Sequence, residues 1–256
     1  MDTESQHMER DRSSGPADGP EEGSRFTHVR DSRVASMSWG RTAFLGMLCT
    51  TVLLLFSAFV LQPFLIPSGS MEPTLRVGDR VLVNKLAYRF GSEPQRGDVV
   101  VFDGTGSFVR ETSGENALGA LVRGAAASLG LVEPAGSDFV KRVVGVGGDR
   151  VVCCDKRGRL EVNGAPVDEE YLHPGDRPSA VAFDIVVPQG TLWMMGDHRS
   201  NSRDSRDHLG QPGGGMVPVD RVIGRVDWLG WPLGRLGSLE GTGAFAGVRP
   251  AGADHG

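Results

Sequence analysis

The sequence predicts a mostly β domain that follows a single N-terminal membrane-spanning helix. Residues Thr42–Leu61 form a run of 20 residues without a charge, the length that a helix needs to cross a hydrocarbon core of about 30 Å. Beyond this run the chain is a series of short, Val-rich segments that alternate or run apolar, as strands do. With 256 residues, the chain is long enough to bury a core without disulfide staples.

Composition excludes several classes of protein. The formal net charge is -5 and only 7% of residues are aromatic, which disfavours a nucleic-acid binder with a basic face or a stacking platform. Three cysteines are too few for a small disulfide scaffold.

The first 41 residues have the composition of a disordered tail. They hold eight acids and six arginines with almost no apolar periodicity, so they cannot bury enough surface to offset the entropy of ordering. A cleaved signal peptide is the alternative for the apolar run, but the long, net acidic leader favours an uncleaved anchor.

Basic residues near the span predict its orientation. Four arginines precede it and two follow it: Arg25, Arg30, Arg33 and Arg41, then Arg76 and Arg80. By the positive-inside rule this places the N-terminus in the cytoplasm and everything after Leu61 outside, as a single-pass protein of the cell membrane.

The exported part, residues 62–235, is predicted to be built from strands. We expect them at residues 77–85, 97–102, 139–146, 150–154, 160–162, 182–187, 191–195 and 221–228. Asn163-Gly164 is typical of a two-residue hairpin turn. Residues 104–138, rich in Gly, Ala and Ser, are interpreted as an insertion, and residues 236–256 as a C-terminal tail.

A candidate nucleophile lies shortly after the span, in the segment Pro67–Leu75. Gly69 next to Ser70, with Pro73 beyond Met71, favours a tight turn that can expose a hydroxyl. An ordinary juxtamembrane turn is the alternative. A serine hydroxyl is a weak nucleophile until a base takes its proton, so a partner is required.

Candidate bases outside the predicted tails are His173, His198, His208, Lys85, Lys141 and Lys156. Among the lysines, Lys141 lies between apolar strand residues, where desolvation disfavours the ammonium form. Lowering its pKa from about 10.4 to roughly 8 needs about 3 kcal/mol. A lysine that snorkels on a strand face is the alternative.

A third polar stretch, Gly196–Arg206, concentrates hydroxyl, acid and guanidinium groups. It fits either a solvated loop or a network that orients catalytic groups. In a network, Asp204 would pair with Arg142 or Arg206, and Ser202 would hydrogen-bond a lysine amine.

Four stretches in order after an anchor resemble bacterial type I signal peptidases (leader peptidases), membrane-bound serine proteases that remove signal peptides. They are residues 67–75, 78–85, 139–149 and 196–206. The resemblance implies a fold of coiled antiparallel β-sheets with a shallow cleft for an extended substrate. It implies a Ser-Lys dyad with Ser70 as nucleophile and Lys141 as general base, and an oxyanion hole of the Ser70 amide and the Ser68 hydroxyl. It also implies supporting roles for Ser202, which orients the lysine, and for an ion-paired Asp204 and Arg142.

The same resemblance implies cleavage of exported preproteins after an Ala-x-Ala site. The expected partners are these preproteins, the lipid bilayer and, as a candidate, the protein-export translocase, with no nucleic acid. No cofactor is expected, and no Cys/His spacing suggests a metal. Trp228 and Trp231 are expected either at the membrane interface or in the core.

Some residues depart from the family pattern. His198 stands where Asn is more usual and Ser200 where Asp is more usual, which keeps a Ser-His variant open with His198 as base. Cys153-Cys154 could form a vicinal disulfide or remain two thiols. Two further alternatives are a self-cleaving repressor-type protease, which the anchor disfavours, and a membrane-anchored binding module with a degenerate peptidase fold.

Overall fold

The computed structural model describes residues 39–109, 137–211 and 213–251. Two compact units are distinguished, Met1–Thr42 and Ala43–Gly256, and only the last four residues of the first are described. The predicted tail up to residue 38, most of the predicted insertion (110–136) and the last five residues lie outside the described residues.

Helix α1, Trp39–Phe59, covers most of the predicted span. Its 21 residues correspond to about 31 Å, and its window Trp39–Phe56 is long and apolar enough to cross a membrane, by length and composition. The hydroxyls of Thr50 and Thr51 donate to the carbonyls of Gly46 and Met47, each over 2.9 Å. These bonds satisfy the two polar side chains within the helix itself.

The described residues after α1 form twelve strands, and every pairing between these strands is antiparallel. In chain order they are β1 Leu61–Leu65, β2 Arg80–Asn84, β3 Val99–Asp103, β4 Asp138–Val146, β5 Arg150–Cys153, β6 Leu160–Val162, β7 Ala165–Val167, β8 Phe183–Val186, β9 Thr191–Met195, β10 Val217–Pro218, β11 Val222–Trp231 and β12 Gly237–Ser238. The larger sheet runs β1-β2-β11-β3-β4-β9-β10, with β12 beside β11, and the smaller runs β7-β6-β5-β8. The predicted fold class, mostly β with antiparallel sheets, is confirmed.

The predicted strands agree with the structure to within a few residues. Asn163 and Gly164 form the two-residue turn between β6 and β7, with φ of 52° and 75°, as a hairpin of this kind requires. Strand β1 was not predicted because it continues the apolar run of the span and contains Pro63. It lies at the edge of the sheet, where a proline is tolerated.

The core lies against the central strands of the larger sheet. Residues Val99–Phe102 of β3 are all buried, as expected for a strand covered on both faces. Trp193 of β9 is fully buried and packs with Phe245, which is 8% exposed. Residues 237–251 therefore pack on the domain where the sequence predicted a tail, because one buried aromatic anchors an otherwise small-residue segment. At the end of β5, Cys153 and Cys154 are joined by a disulfide.

Candidate active site

Ser70 lies in a single 3-10 turn, Gly69–Met71, in the loop between β1 and β2. Met71 next to it is 1% exposed and packs in the core with Phe64 and Leu75. The backbone N–H of His198 donates to the Ser70 carbonyl over 3.1 Å. The serine backbone is thus fixed from one side by the core and from the other by the polar loop after β9.

Lys141 lies on β4 opposite Val100 of the central strand. Its side chain is buried, and its Nζ lies 2.6 Å from Ser70 Oγ. Desolvation by burial lowers the pKa of Lys141 to about 8, although the negative charges of Asp204 and Asp197 oppose the shift. A neutral amine at this distance can accept the hydroxyl proton of Ser70.

Ser68 comes just before the turn, in extended backbone with φ of -132° and ψ of 155°. Its Oγ lies 3.4 Å from Ser70 Oγ. A hydroxyl donor in this place lies next to the oxygen that would attack a substrate carbonyl.

Of the two partners predicted for Asp204, the structure shows Arg206 and not Arg142. Arg142 binds Asp197 with two hydrogen bonds of 2.8 and 2.6 Å, while Asp204 binds Arg206 with two bonds of 2.8 Å. Arg142 follows Lys141 on the same strand, so the two side chains point to opposite faces. The guanidinium consequently meets a different carboxylate from the one beside the lysine.

The Arg142–Asp197 pair links two loops. They are the polar loop after β9, residues 196–206, and the serine loop between β1 and β2, which contains residues 67–75. Thr74 donates its hydroxyl to Asp197 over 2.5 Å, and Arg142 also donates to the Gly97 carbonyl over 2.8 Å. The guanidinium lies 4.1 Å from the centre of the Tyr171 ring. Sequence reasoning missed Asp197 and Thr74, although both lie within stretches singled out for their polar residues.

Asp204 stabilises the start of the polar loop. Burial by itself raises its pKa, but the hydrogen bonds and charge of Arg206, together with the Gly196 N–H, hold the pKa below its usual range. The Gly196 N–H donates to the carboxylate over 3.0 Å. Asp204 is therefore an ionised acceptor that fixes the backbone where β9 ends.

Ser202 is buried against Gly196. A Cβ at position 196 would come within 2.2 Å of Ser202 Oγ and within 2.5 Å of the Ser70 carbonyl, so only glycine fits between the two serine segments. Among the described residues, Ser202 Oγ makes no close hydrogen bond, so the expected bond from Ser202 to Lys141 is absent. The hydroxyl lies near the carboxylate of Asp204 and helps to lower the pKa of that group.

The whole constellation agrees with one family of proteins. The model of the family "Signal peptidase, peptidase S26" matches residues 36–231 of the chain. The chain belongs to this signal peptidase family. It is thereby a serine peptidase of the signal peptidase I type.

Curated relatives support the assignment over most of their length. The probable signal peptidase I of Mycobacterium leprae is 38% identical over 82% of this chain and 82% of its own. The signal peptidase I of Mycobacterium tuberculosis is 40% identical over 77% of this chain and 74% of its own. The solved signal peptidase I of Enterococcus faecalis is 22% identical over 52% of this chain and 97% of its own, with a TM-score of 0.33.

In this peptidase, His198 does not contact the nucleophile in the way that Lys141 does. Its Nδ1 lies 3.2 Å from the Gly69 carbonyl, and its ring stacks on that of His173 with centroids 3.8 Å apart. His208 stacks on Phe108, with centroids 4.6 Å apart. Of the candidate bases, Lys141 is the one in hydrogen-bond contact with Ser70 Oγ.

One group of side chains has the composition of a metal site. Ligand atoms of Glu72, His173 and His198 all lie within 4.8 Å of one another. No spacing along the chain indicates this group, because its three members come from three different loops.

Proposed function

We propose that this peptidase removes N-terminal signal peptides from exported preproteins, as a membrane-anchored serine endopeptidase with a Ser70–Lys141 dyad. The observation that carries the proposal is the 2.6 Å contact between Ser70 Oγ and Nζ of a buried lysine, whose pKa is lowered to about 8. Membership of the signal peptidase family supports the substrate class.

In the proposed reaction, neutral Lys141 takes the proton of Ser70 as Oγ attacks the scissile carbonyl. The resulting oxyanion accepts hydrogen bonds from the Ser70 amide and the Ser68 hydroxyl, each worth about 3 kcal/mol. The Lys141 ammonium then protonates the leaving amine, which departs and leaves an acyl-enzyme on Ser70. Lys141, neutral again, removes a proton from the water that attacks the ester and returns it to Ser70 Oγ as the acyl group leaves as a carboxylic acid.

Arg142, Asp204 and Ser202 are positioning residues in this account. The Arg142–Asp197–Thr74 contacts hold the serine loop and the polar loop together. Asp204 fixes the Gly196 backbone, and Ser202 packs against the same glycine. None of the three needs to exchange a proton with the substrate.

The anchor simplifies the encounter with substrate. With α1 in the bilayer, the N-terminus in the cytoplasm and the domain outside, Ser70 lies only a few residues from the membrane. A preprotein whose own apolar segment lies in the same membrane reaches Ser70 by diffusion in two dimensions, and the membrane partly fixes the orientation of the preprotein. Exposed apolar side chains provide a second lipid contact: Trp228, Trp231, Leu233 and Leu236. Interfacial tryptophans are typical of such surfaces.

The substrate is proposed to bind in extended form, with backbone hydrogen bonds to a strand edge and pockets for alternate side chains. We expect pockets that admit only small side chains at the first and third positions before the cut, which would give the proposed Ala-x-Ala preference.

We expect the detergent-solubilised full chain to cut a preprotein with an Ala-x-Ala site directly after the second Ala. The matched substrate has Leu at that position and should be cut at least about tenfold more slowly, because a small pocket rejects the larger side chain. Mass spectrometry of both products locates the cut. Cleavage at unrelated positions, or equal rates on both substrates, would contradict the proposed specificity.

A further inference from the structure

Three ligand-bearing side chains meet beside the serine loop without a role in the dyad. Glu72 follows the Ser70 turn, His173 lies in the loop between β7 and β8, and His198 follows β9. All three are half-buried. Glu72 Oε2 lies 3.9 Å from His198 Nδ1, and the two imidazole rings stack with an interplanar angle of 7°.

The backbone holds these three residues in place. The N–H of His173 donates to the Asp197 carbonyl over 3.0 Å, and that of His198 donates to the Ser70 carbonyl over 3.1 Å. Nδ1 of His198 faces the Gly69 carbonyl at 3.2 Å. When Nδ1 donates its proton to that carbonyl, Nε2 keeps the lone pair that can bind a metal. Histidines that bind metals usually donate a hydrogen bond from their other ring nitrogen in this way.

A second carboxylate faces the pair of histidines. Asp176 accepts a hydrogen bond from the Ser200 N–H over 3.2 Å. Its carboxylate lies near both imidazoles and interacts electrostatically with each. Two carboxylates around two imidazoles make a negative, partly desolvated environment for a cation.

From this arrangement we propose that Glu72, His173 and His198 bind one divalent transition-metal ion, with Zn²⁺ as the ion that fits best. Two imidazoles and one carboxylate form a known zinc ligand set that leaves a fourth position for water. Ligand atoms within 4.8 Å of one another must draw in by about 1 Å for bonds of about 2 Å. Because the rings stack in parallel, one imidazole turns out of the stack about its broad terminal torsion as the ion binds.

The bound ion connects the serine loop to the polar loop. Glu72 is two residues after Ser70, and the His198 backbone already bonds the Ser70 carbonyl. The zinc ion would therefore hold the backbone on either side of the nucleophile in place, and Lys141 would remain the group that transfers protons.

The test is a zinc titration of the full chain in detergent, purified with an affinity tag that contains no histidine and stripped with a chelator. Calorimetry should give one Zn²⁺ per chain, and Co²⁺ should give the visible absorption of a low-coordinate site. His173→Ala, His198→Asn and Glu72→Gln should each weaken Zn²⁺ binding at least about tenfold. His255→Ala and the exposed Glu93→Gln are the matched controls and should bind as the unaltered chain does.

Thermal unfolding supplies a second readout. At free Zn²⁺ about 100-fold above Kd, the Tm of the unaltered chain should rise by about 5–10 °C, and that of His198→Asn should not. Metal-free Tm values show which variants are folded; if Glu72→Gln is not, the two histidine variants decide. No Zn²⁺ binding, or equal binding by the unaltered chain and the folded variants, would overturn the proposal.

Discussion

Replacing Lys141 with Ala is expected to lower kcat/KM on a preprotein by at least about 10⁴-fold. The substitution removes the group that lies 2.6 Å from Ser70 Oγ, and a serine without its base is a poor nucleophile. The loss should appear in kcat, because the lysine acts on the reacting atoms. Quantified cleavage of a purified preprotein measures it.

His198→Ala is the matched comparison for this prediction. The ring of His198 contacts Gly69 and His173, so most of the activity should remain when both variants are assayed in chelator. If Lys141→Ala stayed active and His198→Ala were dead, the dyad would have to be replaced by a Ser-His pair.

Ser70→Ala should lose activity to the same level, and the double variant Ser70→Ala/Lys141→Ala should be no worse than either single one. Nucleophile and base act as one unit, so removal of either eliminates the same step and their effects do not add. The residual rate of all three variants reports what binding and the oxyanion donors achieve alone.

Single-turnover assays at high enzyme concentration can measure these small residual rates. Circular dichroism of the domain controls for folding, since Ser70 and Lys141 are both buried. A double variant that was a further 10⁴-fold slower would show that the two residues act independently.

Most of the fold could be predicted from local patterns. Segments such as Leu160–Val162 and Thr191–Met195 were placed to the residue, because short apolar runs between turn residues have few alternatives. Strands such as β1 and β10 were missed. Strand β10 has only two residues, and a proline occurs in each, so only tertiary pairing identifies them.

The nucleophile and its base could be proposed because each is unusual in its own segment: a serine in a tight turn and a lysine among apolar strand residues. The partner of Arg142 could not be derived in the same way. The polar loop offers Asp197, Asp204 and Asp207 within 11 residues, and which acid an arginine meets depends on the face of β4 from which it projects.

The stacking of His173 on His198 also could not be predicted from the sequence. The two histidines are far apart along the chain, and each is unremarkable in its own loop. They meet because the His173 N–H bonds the Asp197 carbonyl, a backbone contact that no side-chain pattern encodes.

The pH dependence of kcat/KM shows whether neutral Lys141 is the base for Ser70. Burial lowers the pKa of Lys141 to about 8, and the deprotonated amine is the active form. The rate should therefore fall tenfold for each pH unit below about 8 and level off above it, with the same profile in His198→Ala. A profile in which the rate stays constant down to well below pH 8, with a fall at lower pH that disappears in His198→Ala, would instead assign the base to the histidine.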